Sequence, residues 1–401
     1  MDESLRQAVI VLAVAMMVAI AARQIRLPYT VGLVIVGAVV ALSGVGAPHL
    51  THELIFDLIL PPLLFEAALN LSWRELIRDS LPLLALAGVG TLVSAAVVAS
   101  SMTMLLGWPL FSALVFGALI AATDPVAIIA MFKDNKVKGR MRLLVESESL
   151  LNDGAAAVLF VMALTFAQSG GADQTAAATA MTLAKVVLGG IIVGALSGGA
   201  AILASLRTSE HLIEAALTTI AAFGSFLIAE YFHVSGVLAT VTAGLLMGNL
   251  GLLSERGGFI SLKGREFVLS FWDFAAFLAN SVIFLLIGAD VAMIPFGVAG
   301  AKPLCVAIAT VLCARAITVY PLSSLFLASR WKISLREQHV LWWGGLRGAL
   351  ALALALSLPD DLPQRNEIVA ITFAVVAFSI VVQGLTMPLL LRALGFPPKS
   401  S

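Results

Sequence analysis

The feature that most constrains this chain is a succession of long apolar segments separated by short polar ones. A membrane-spanning helix needs about 20 mostly apolar residues, and thirteen segments of the 401-residue chain meet that need. Their approximate limits are 5–22, 28–45, 52–71, 80–106, 109–132, 144–168, 177–205, 211–232, 235–250, 267–291, 298–329, 337–357 and 367–395. Only 12% of the residues are charged, whereas soluble domains carry about 25%. We therefore predict an all-α polytopic membrane protein and exclude a soluble or disordered one.

The positive charges predict the orientation of these spans, because Lys and Arg concentrate in short cytoplasmic connections. With an odd number of spans, the two termini lie on opposite sides of the membrane. An extracellular N-terminus places 18 of the 24 Lys and Arg residues on the cytoplasmic side, four outside and two within spans. We therefore predict an outside N-terminus and a cytoplasmic C-terminus. The net charge is zero, so nothing indicates binding to nucleic acid.

Two spans carry interruptions at corresponding places. The fifth is interrupted at Thr123-Asp124-Pro125 and the twelfth at Gly344-Gly345-Leu346-Arg347-Gly348. We predict one transporter domain over residues 1–401, built from two inverted six-helix repeats with broken helices 5 and 12. The repeats cover about 5–168 and 211–395, with a linker helix at about 177–205. Interrupted spans at matching positions of two inverted halves are typical of a transporter's binding site.

The first interruption reads as the start of a second half-helix within the membrane. Thr123 and Asp124 are of the types that cap helix N-termini, and Pro125 suits the first helical position because it lacks an N–H group. A break in mid-span frees backbone carbonyl and N–H groups, which then become available as ligands.

The sixth span opens with a polar segment from Glu148 to Gly154. Ser149, Asn152 and Asp153 are spaced i, i+3 and i+4, so they share one face of a helix. A carboxylate beside hydroxyl and carbonyl oxygens is suitable ligand chemistry for Na⁺ or Li⁺. Because burial disfavours the charged carboxylate, Asp153 is also a candidate for exchanging a proton with a cation.

Three further ionisable residues lie within predicted spans, where charge is costly and partners are needed. Glu66 follows Pro61-Pro62, which we expect to loosen the third span, and it is a candidate ligand or gate residue. Arg315 and Arg347 have Glu148 and Asp124 as candidate partners, and the spacing alone does not choose between them. Arg347 falls where the first half of the twelfth span should end, and a C-terminal helix dipole favours a cation there.

Together these motifs resemble those of the NhaP/NHE-type sodium/proton antiporters, the first monovalent cation:proton antiporter family. The resemblance is carried by three segments in order, namely 122–127, 148–154 and 344–349, and by the stretches 60–66 and 230–244. It implies crossed, unwound spans 5 and 12, a homodimer and an elevator-like alternating access. It implies no cofactor beyond the transported Na⁺ (or Li⁺) and H⁺.

The resemblance also implies roles for individual residues. Asp153 would bind either the cation or the proton, with further Na⁺ ligands from the Thr123 backbone, the Ser149 hydroxyl and Glu66. It implies that Asn152 and Asp124 organise the site and its water. It implies as well that Glu148 pairs with Arg315 rather than binding the ion, and that Pro125, Gly344, Gly345 and Arg347 belong to the broken-helix region.

Electrogenic relatives carry two adjacent aspartates where this chain has Asn152-Asp153, so we expect electroneutral exchange of one H⁺ for one Na⁺. Eukaryotic exchangers carry long cytoplasmic tails and this sequence ends at Ser401, from which we expect a prokaryotic plasma (inner) membrane. A K⁺/H⁺ antiporter of the same mechanism is an alternative. A passive cation channel is a further one, although here the polar groups converge within one chain. No nucleophile–base pair or metal motif indicates an enzyme.

Overall fold

The computed structural model describes residues 2–24, 28–43, 50–134, 137, 139–168, 176–253, 259–294 and 300–396. Within these ranges the chain forms helices, turns and bends and contains no strand, as the apolar segments predict. The helices, in chain order, are α1 (Asp2–Gln24), α2 (Tyr29–Leu42), α3 (Leu60–Leu69), α4 (Trp73–Arg78), α5 (Ser80–Leu106), α6 (Leu110–Ala121), α7 (Val126–Asp134), α8 (Arg140–Gln168), α9 (Ala176–Ser205), α10 (His211–Tyr231), α11 (Gly236–Met247), α12 (Leu262–Met293), α13 (Ala301–Ser324), α14 (Leu335–Trp343), α15 (Ala349–Leu356) and α16 (Arg365–Ala393).

Eight apolar helical segments of the described ranges are long enough to cross a membrane unaided. They are Ser80–Leu106, Leu110–Phe132, Arg140–Gln168, Ala177–Ser205, His211–Tyr231, Lys263–Met293, Ala301–Ser324 and Arg365–Ala393. The other predicted spans coincide with shorter helices, such as Tyr29–Leu42, or with the two halves α14 and α15. Every predicted span therefore has helical counterparts, and the protein is a multi-pass membrane protein.

Two details of the helices differ from expectation. The sixth span begins at Arg140 rather than near residue 144, so Glu148 to Gly154 lie inside the helix instead of opening it. The Arg142–Glu146 ion pair (2.9 Å, i, i+4) supports these added turns. The short helix α4, which the hydropathy pattern did not predict, follows the third span.

Within the described ranges, four stretches have π-helical geometry, in which each backbone bond spans one residue more than in an α-helix. They are Leu54–Ile59, Ala85–Val89, Gly248–Leu252 and Ser379–Gln383. The first directly precedes Pro61 and Pro62 of α3, so the expected loosening of the third span takes the form of a widened turn. Such turns interrupt long helices at defined points and are frequent at functional sites.

The chain divides into two compact units. The first comprises Met1–His52, Leu81–Ala167 and Asn280–Ser401. In it α5 packs against α6 and α13, and α15 packs against α6 and α16. This unit holds both interrupted spans, α6 with α7 and α14 with α15. The predicted limits of the two repeats remain a prediction.

The second unit comprises Glu53–Ser80 and Gln168–Ala279. There α9 packs along α11 at close range, because a side chain at Gly194 would collide with the Ala239 backbone. A buried apolar cluster that includes Phe65 and Trp272, with ring centroids 4.7 Å apart, forms the core of this unit.

Candidate functional site

The interruption of the fifth span is a break of four residues. Helix α6 ends at Ala121 and α7 begins at Val126. Asp124 caps α7 as its residue type predicts, since its Oδ1 accepts a hydrogen bond from the Val126 N–H (2.9 Å). The helix starts one residue later than expected, although the Pro125 carbonyl already accepts from Ile129 N (2.8 Å).

The interruption of the twelfth span lies against the first. Helix α14 ends at Trp343 and α15 begins at Ala349, leaving residues 344–348 non-helical. The Asp124 N–H donates to the Leu346 carbonyl (2.8 Å), so the backbones of the two breaks are joined directly. A side chain at Gly348 would collide with the carboxylate of Asp124, so this close approach requires glycine.

Two of the predicted cation ligands meet at the first break. The Ser149 hydroxyl of α8 donates a short hydrogen bond to the Thr123 carbonyl. The Thr123 hydroxyl lies 3.3 Å from the same Ser149 oxygen. Both residues are buried. Three oxygens of the kind that bind alkali cations are thereby gathered where helix α6 has ended.

Asp153 lies one turn further along α8 and is half-buried. Its carboxylate accepts a hydrogen bond from the Thr123 backbone, and its charged neighbours are Asp124, Glu148 and Arg347. Two carboxylates and one guanidinium therefore act on the charge of Asp153. An ion bound beside Asp153 would therefore change how readily its carboxylate takes up a proton.

Asn152 is buried beside Asp153 and uses only part of its hydrogen-bonding capacity. Its Nδ2 lies 3.5 Å from Glu148 Oε1, at the limit of a hydrogen bond. Its Oδ1 has no partner within the described residues. A buried amide oxygen without a protein partner is suited to accept from a water molecule or to face a cation.

Glu148 and Arg315 form a buried, bidentate ion pair. Nη1 and Nη2 of Arg315 lie 2.8 Å from Oε1 and Oε2 of Glu148 respectively. The guanidinium also donates to the Leu341 carbonyl near the end of α14, from Nε (3.3 Å) and Nη2 (3.2 Å). This one side chain thus connects α13 to α8 and to the first half of the twelfth span.

Arg347 takes a position that the sequence did not predict. We expected its charge to favour the C-terminal end of its own half-helix, yet its Nη1 donates to the carbonyls of Ala121 (2.7 Å) and Ala122 (2.9 Å). Arg347 therefore caps the end of α6 and not the end of its own half-helix α14, because the two breaks cross and bring the end of α6 within reach of its guanidinium. Arg347 is fully buried, and its Nε has no partner within the described residues.

A small cavity of about 10 Å³ lies at the meeting of the two breaks. Its volume is about that needed for one water molecule. Its walls are formed by both breaks and by the ion pair, and they include Thr123, Asp124, Pro125, Glu148, Ser149, Arg315 and Gly344. The arrangement therefore offers a small, partly open space with polar and apolar walls beside the oxygens of Thr123 and Ser149.

The remaining candidate, Glu66, lies on α3 in the second unit. It is half-buried and its Oε1 accepts from Asn70 Nδ2 (2.9 Å). Its role as a ligand stays a prediction. No cluster of three or more His, Cys, Asp or Glu side chains suited to a resident metal occurs in the part of the chain that the structure describes.

Sequence reasoning missed two residues that contact the second break. Ser379 and Gln383 of α16 are buried and bond to the backbone of Arg347 and Trp343. The signal that could have found them is their spacing, because two polar residues four apart in an apolar span share one face.

Comparisons with known proteins identify the family of the chain. The family model described as sodium/hydrogen exchanger, transmembrane, matches residues 10–393. The chain is 40% identical over 400 residues to the Na⁺/H⁺ antiporter ApNhaP of Aphanothece halophytica, covering 98% of this chain and 75% of that one. It is 35% identical to the Na⁺/H⁺ antiporter NhaH of Halobacillus aidingensis, covering 97% of each.

A solved structure shares the fold. The sodium proton antiporter MjNhaP1 from Methanocaldococcus jannaschii superposes with a TM-score of 0.76 at 20% identity, covering 98% of this chain and 99% of that one. The matched family model spans nearly the whole chain, and the relatives exceed one third identity over nearly all of it. The chain therefore belongs to the sodium/hydrogen exchanger family of membrane transporters.

Proposed function

We propose that this protein is a secondary antiporter that exchanges Na⁺ for H⁺ across the membrane, with both ions competing for Asp153. The observation that carries the proposal is the gathering of the Thr123 and Ser149 oxygens one helical turn from Asp153, at a helix break inside the apolar segment Leu110–Phe132. The names of the relatives support the same exchange, since both are Na⁺/H⁺ antiporters.

The exchange follows from the chemistry of one carboxylate. Ionised Asp153 attracts a cation, whose remaining coordination comes from the Thr123 carbonyl and the Ser149 hydroxyl. For this, the hydroxyl turns away from the carbonyl to which it now donates. Protonation of Asp153 removes the negative charge and releases the cation. Asn152 orients the site through its amide, and Asp124 and Arg347 fix the backbone of the break.

Elevator-type alternating access, a homodimeric assembly and transport of Li⁺ belong to the same proposal. The orientation does as well, with the N-terminus outside and the C-terminus in the cytoplasm. It is supported by the 18 Lys and Arg residues that this arrangement places on the cytoplasmic side.

The cation specificity is tested in acid-loaded proteoliposomes that contain a pH-sensitive dye. Adding Na⁺ or Li⁺ should dequench the dye, because each incoming cation displaces a proton from the carrier. Dequenching by K⁺ alone would show that the protein exchanges K⁺, and not Na⁺, for H⁺. No dequenching by any of the three, with insertion of the protein verified, would refute the antiporter.

A second prediction concerns membrane potential. The site pairs one carboxylate, Asp153, with the neutral amide of Asn152, so each half-cycle should carry the same charge. The initial rate of Na⁺-driven exchange should therefore change less than twofold when valinomycin and K⁺ gradients set the potential between zero and about 100 mV of either sign. One net charge moved per cycle would instead feel ~2.3 kcal/mol per 100 mV, which corresponds to a ~50-fold bias.

A further inference from the structure

The last span contacts the second helix break through two buried side chains. The Arg347 N–H donates to the Ser379 hydroxyl (3.0 Å). That hydroxyl has one hydrogen of its own, which the Val376 carbonyl (2.8 Å) or the Arg347 carbonyl (3.3 Å) accepts. Ser379 thus satisfies a backbone N–H group that the end of helix α14 has left without an intrahelical partner.

One turn later, Gln383 bonds to the other end of the break. Its Nε2 donates to the Trp343 carbonyl (2.9 Å), which is the last carbonyl of α14. The Trp343 indole N–H in turn donates to the Thr386 hydroxyl (2.9 Å). The three polar residues are spaced i, i+4 and i+7 along α16 and form one face toward the break.

Ser379 and Gln383 are the two ends of the π-helical stretch Ser379–Gln383. Both are buried, with 1% and 3% of their surface exposed. An unsatisfied backbone group at membrane depth costs several kcal/mol. Ser379 and Gln383 therefore bond to backbone groups of the break that would otherwise be unsatisfied inside a membrane span.

A related contact exists at the first break, where the serine hydroxyl donates to the backbone instead of accepting from it. There the Ser149 hydroxyl of the sixth span bonds to the Thr123 carbonyl of the fifth. The predicted inverted repeats match the sixth span with the thirteenth and the fifth with the twelfth. In both halves, then, a serine of the following span bonds to the backbone of the broken one. The first serine lies one turn from Asp153 on its own helix, whereas the second bonds to the backbone of Arg347.

We propose that Ser379 and Gln383 are positioning residues that hold the second break and, through it, the ion site at the first. The connection runs over two contacts already described. Arg347, held by Ser379, donates to the carbonyls of Ala121 and Ala122, which directly precede Thr123. The neighbouring Leu346 carbonyl holds the Asp124 N–H. The role in transport rests on the proposed function, whereas the hold on the break does not.

The test compares Ser379→Ala with Ser379→Thr, which keeps the hydroxyl, and with Thr372→Val as matched control. Thr372 is a fully buried hydroxyl two turns earlier on α16, and it bonds only to the Ile368 carbonyl of its own helix (2.7 Å). Two quantities are measured for each purified protein. One is hydrogen–deuterium exchange of the amides at 344–348, and the other is the KM and kcat of Na⁺-driven exchange in proteoliposomes.

In Ser379→Ala, exchange of the Arg347 amide should accelerate by about tenfold, because its acceptor is gone. The KM for Na⁺ should rise about fivefold with kcat within twofold, which corresponds to ~1 kcal/mol, the net value of one hydrogen bond. Ser379→Thr should restore both quantities, and Thr372→Val should change neither. If Ser379→Ala does not fold, Gln383→Leu, which removes the bond to the Trp343 carbonyl, should accelerate exchange of the amides at 344–348 and raise the KM in the same direction.

Unchanged amide exchange in Ser379→Ala would overturn the proposed hold on the break. Accelerated exchange with an unchanged KM would overturn the link to the ion site. An equal rise of KM in Thr372→Val would show that any lost hydroxyl of α16 has this effect, which also contradicts the proposal. Because amide exchange requires no transport, it still tests the hold on the break if the proposed antiport fails.

Discussion

Asp153→Asn should abolish exchange of Na⁺ for H⁺. The amide has nearly the shape of the carboxylate but carries no charge and takes up no proton at physiological pH, so neither substrate retains its binding group. Na⁺-driven dequenching should fall by at least about 100-fold, equivalent to ~2.7 kcal/mol or more. The measurement is the initial dequenching rate in proteoliposomes with equal amounts of inserted protein.

The control for this change is Asp360→Asn, which makes the same replacement in a loop at an exposed carboxylate paired with Arg365. It should exchange at the unmodified rate. Asp153→Asn should also melt within a few degrees of the unmodified protein, because the substitution conserves volume. Exchange by Asp153→Asn within tenfold of the unmodified rate would refute Asp153 as the shared site.

Arg315→Ala should greatly reduce the amount of folded protein. It leaves Glu148 as a buried acid without its cation and removes the donor to the Leu341 carbonyl. Removing one partner of a buried ion pair costs about 3–5 kcal/mol. At roughly 1 °C per kcal/mol for a chain of 401 residues, the melting temperature should fall by about 5 °C. The measurement is a thermal melt of the detergent-solubilised protein followed by fluorescence-detected gel filtration.

Two variants show whether this loss comes from the uncompensated charge. Glu148→Gln combined with Arg315→Gln leaves no charge unpaired and should melt above Arg315→Ala. Arg365→Ala breaks a pair whose acid, Asp360, is 97% exposed, and should change the melting temperature by only a degree or two. A fully stable but inactive Arg315→Ala protein would contradict the structural role and indicate direct participation in transport.

Much of the fold could be predicted because membrane spans obey local rules. The apolar segments had to be helical, since backbone groups in lipid must be satisfied within the segment. Asp124 and Pro125 identified the start of α7, because capping depends on residues within one turn of each other. The periodicity of Ser149, Asn152 and Asp153 likewise placed them on one face of α8.

Other features could not be read from the sequence, because they depend on which helices cross. The residues alone offered Arg315 and Arg347 two acids each, and only the family resemblance implied the pair of Glu148 with Arg315. The position of α13 beside α8 brings those two side chains together. Among the described residues, Arg347 bonds to no acid, and its side chain caps the other broken helix, over 220 residues away in sequence. The stretch Ser379–Gln383 contains no proline and no pair of glycines, so nothing in the sequence indicated that it would form a π-helical turn.

Hydropathy, capping residues and periodicity act over a few residues, and they were sufficient to predict the helical class, the two breaks and the face that carries Asp153. How the breaks meet, and which side chains hold them, depends on the packing of the folded chain. The Asp124 N–H bonds to the Leu346 carbonyl, and Ser379 bonds to the Arg347 N–H. A backbone group freed by a break can bond to any donor or acceptor within reach. The packing of helices that are distant in sequence determines which partner lies at that distance.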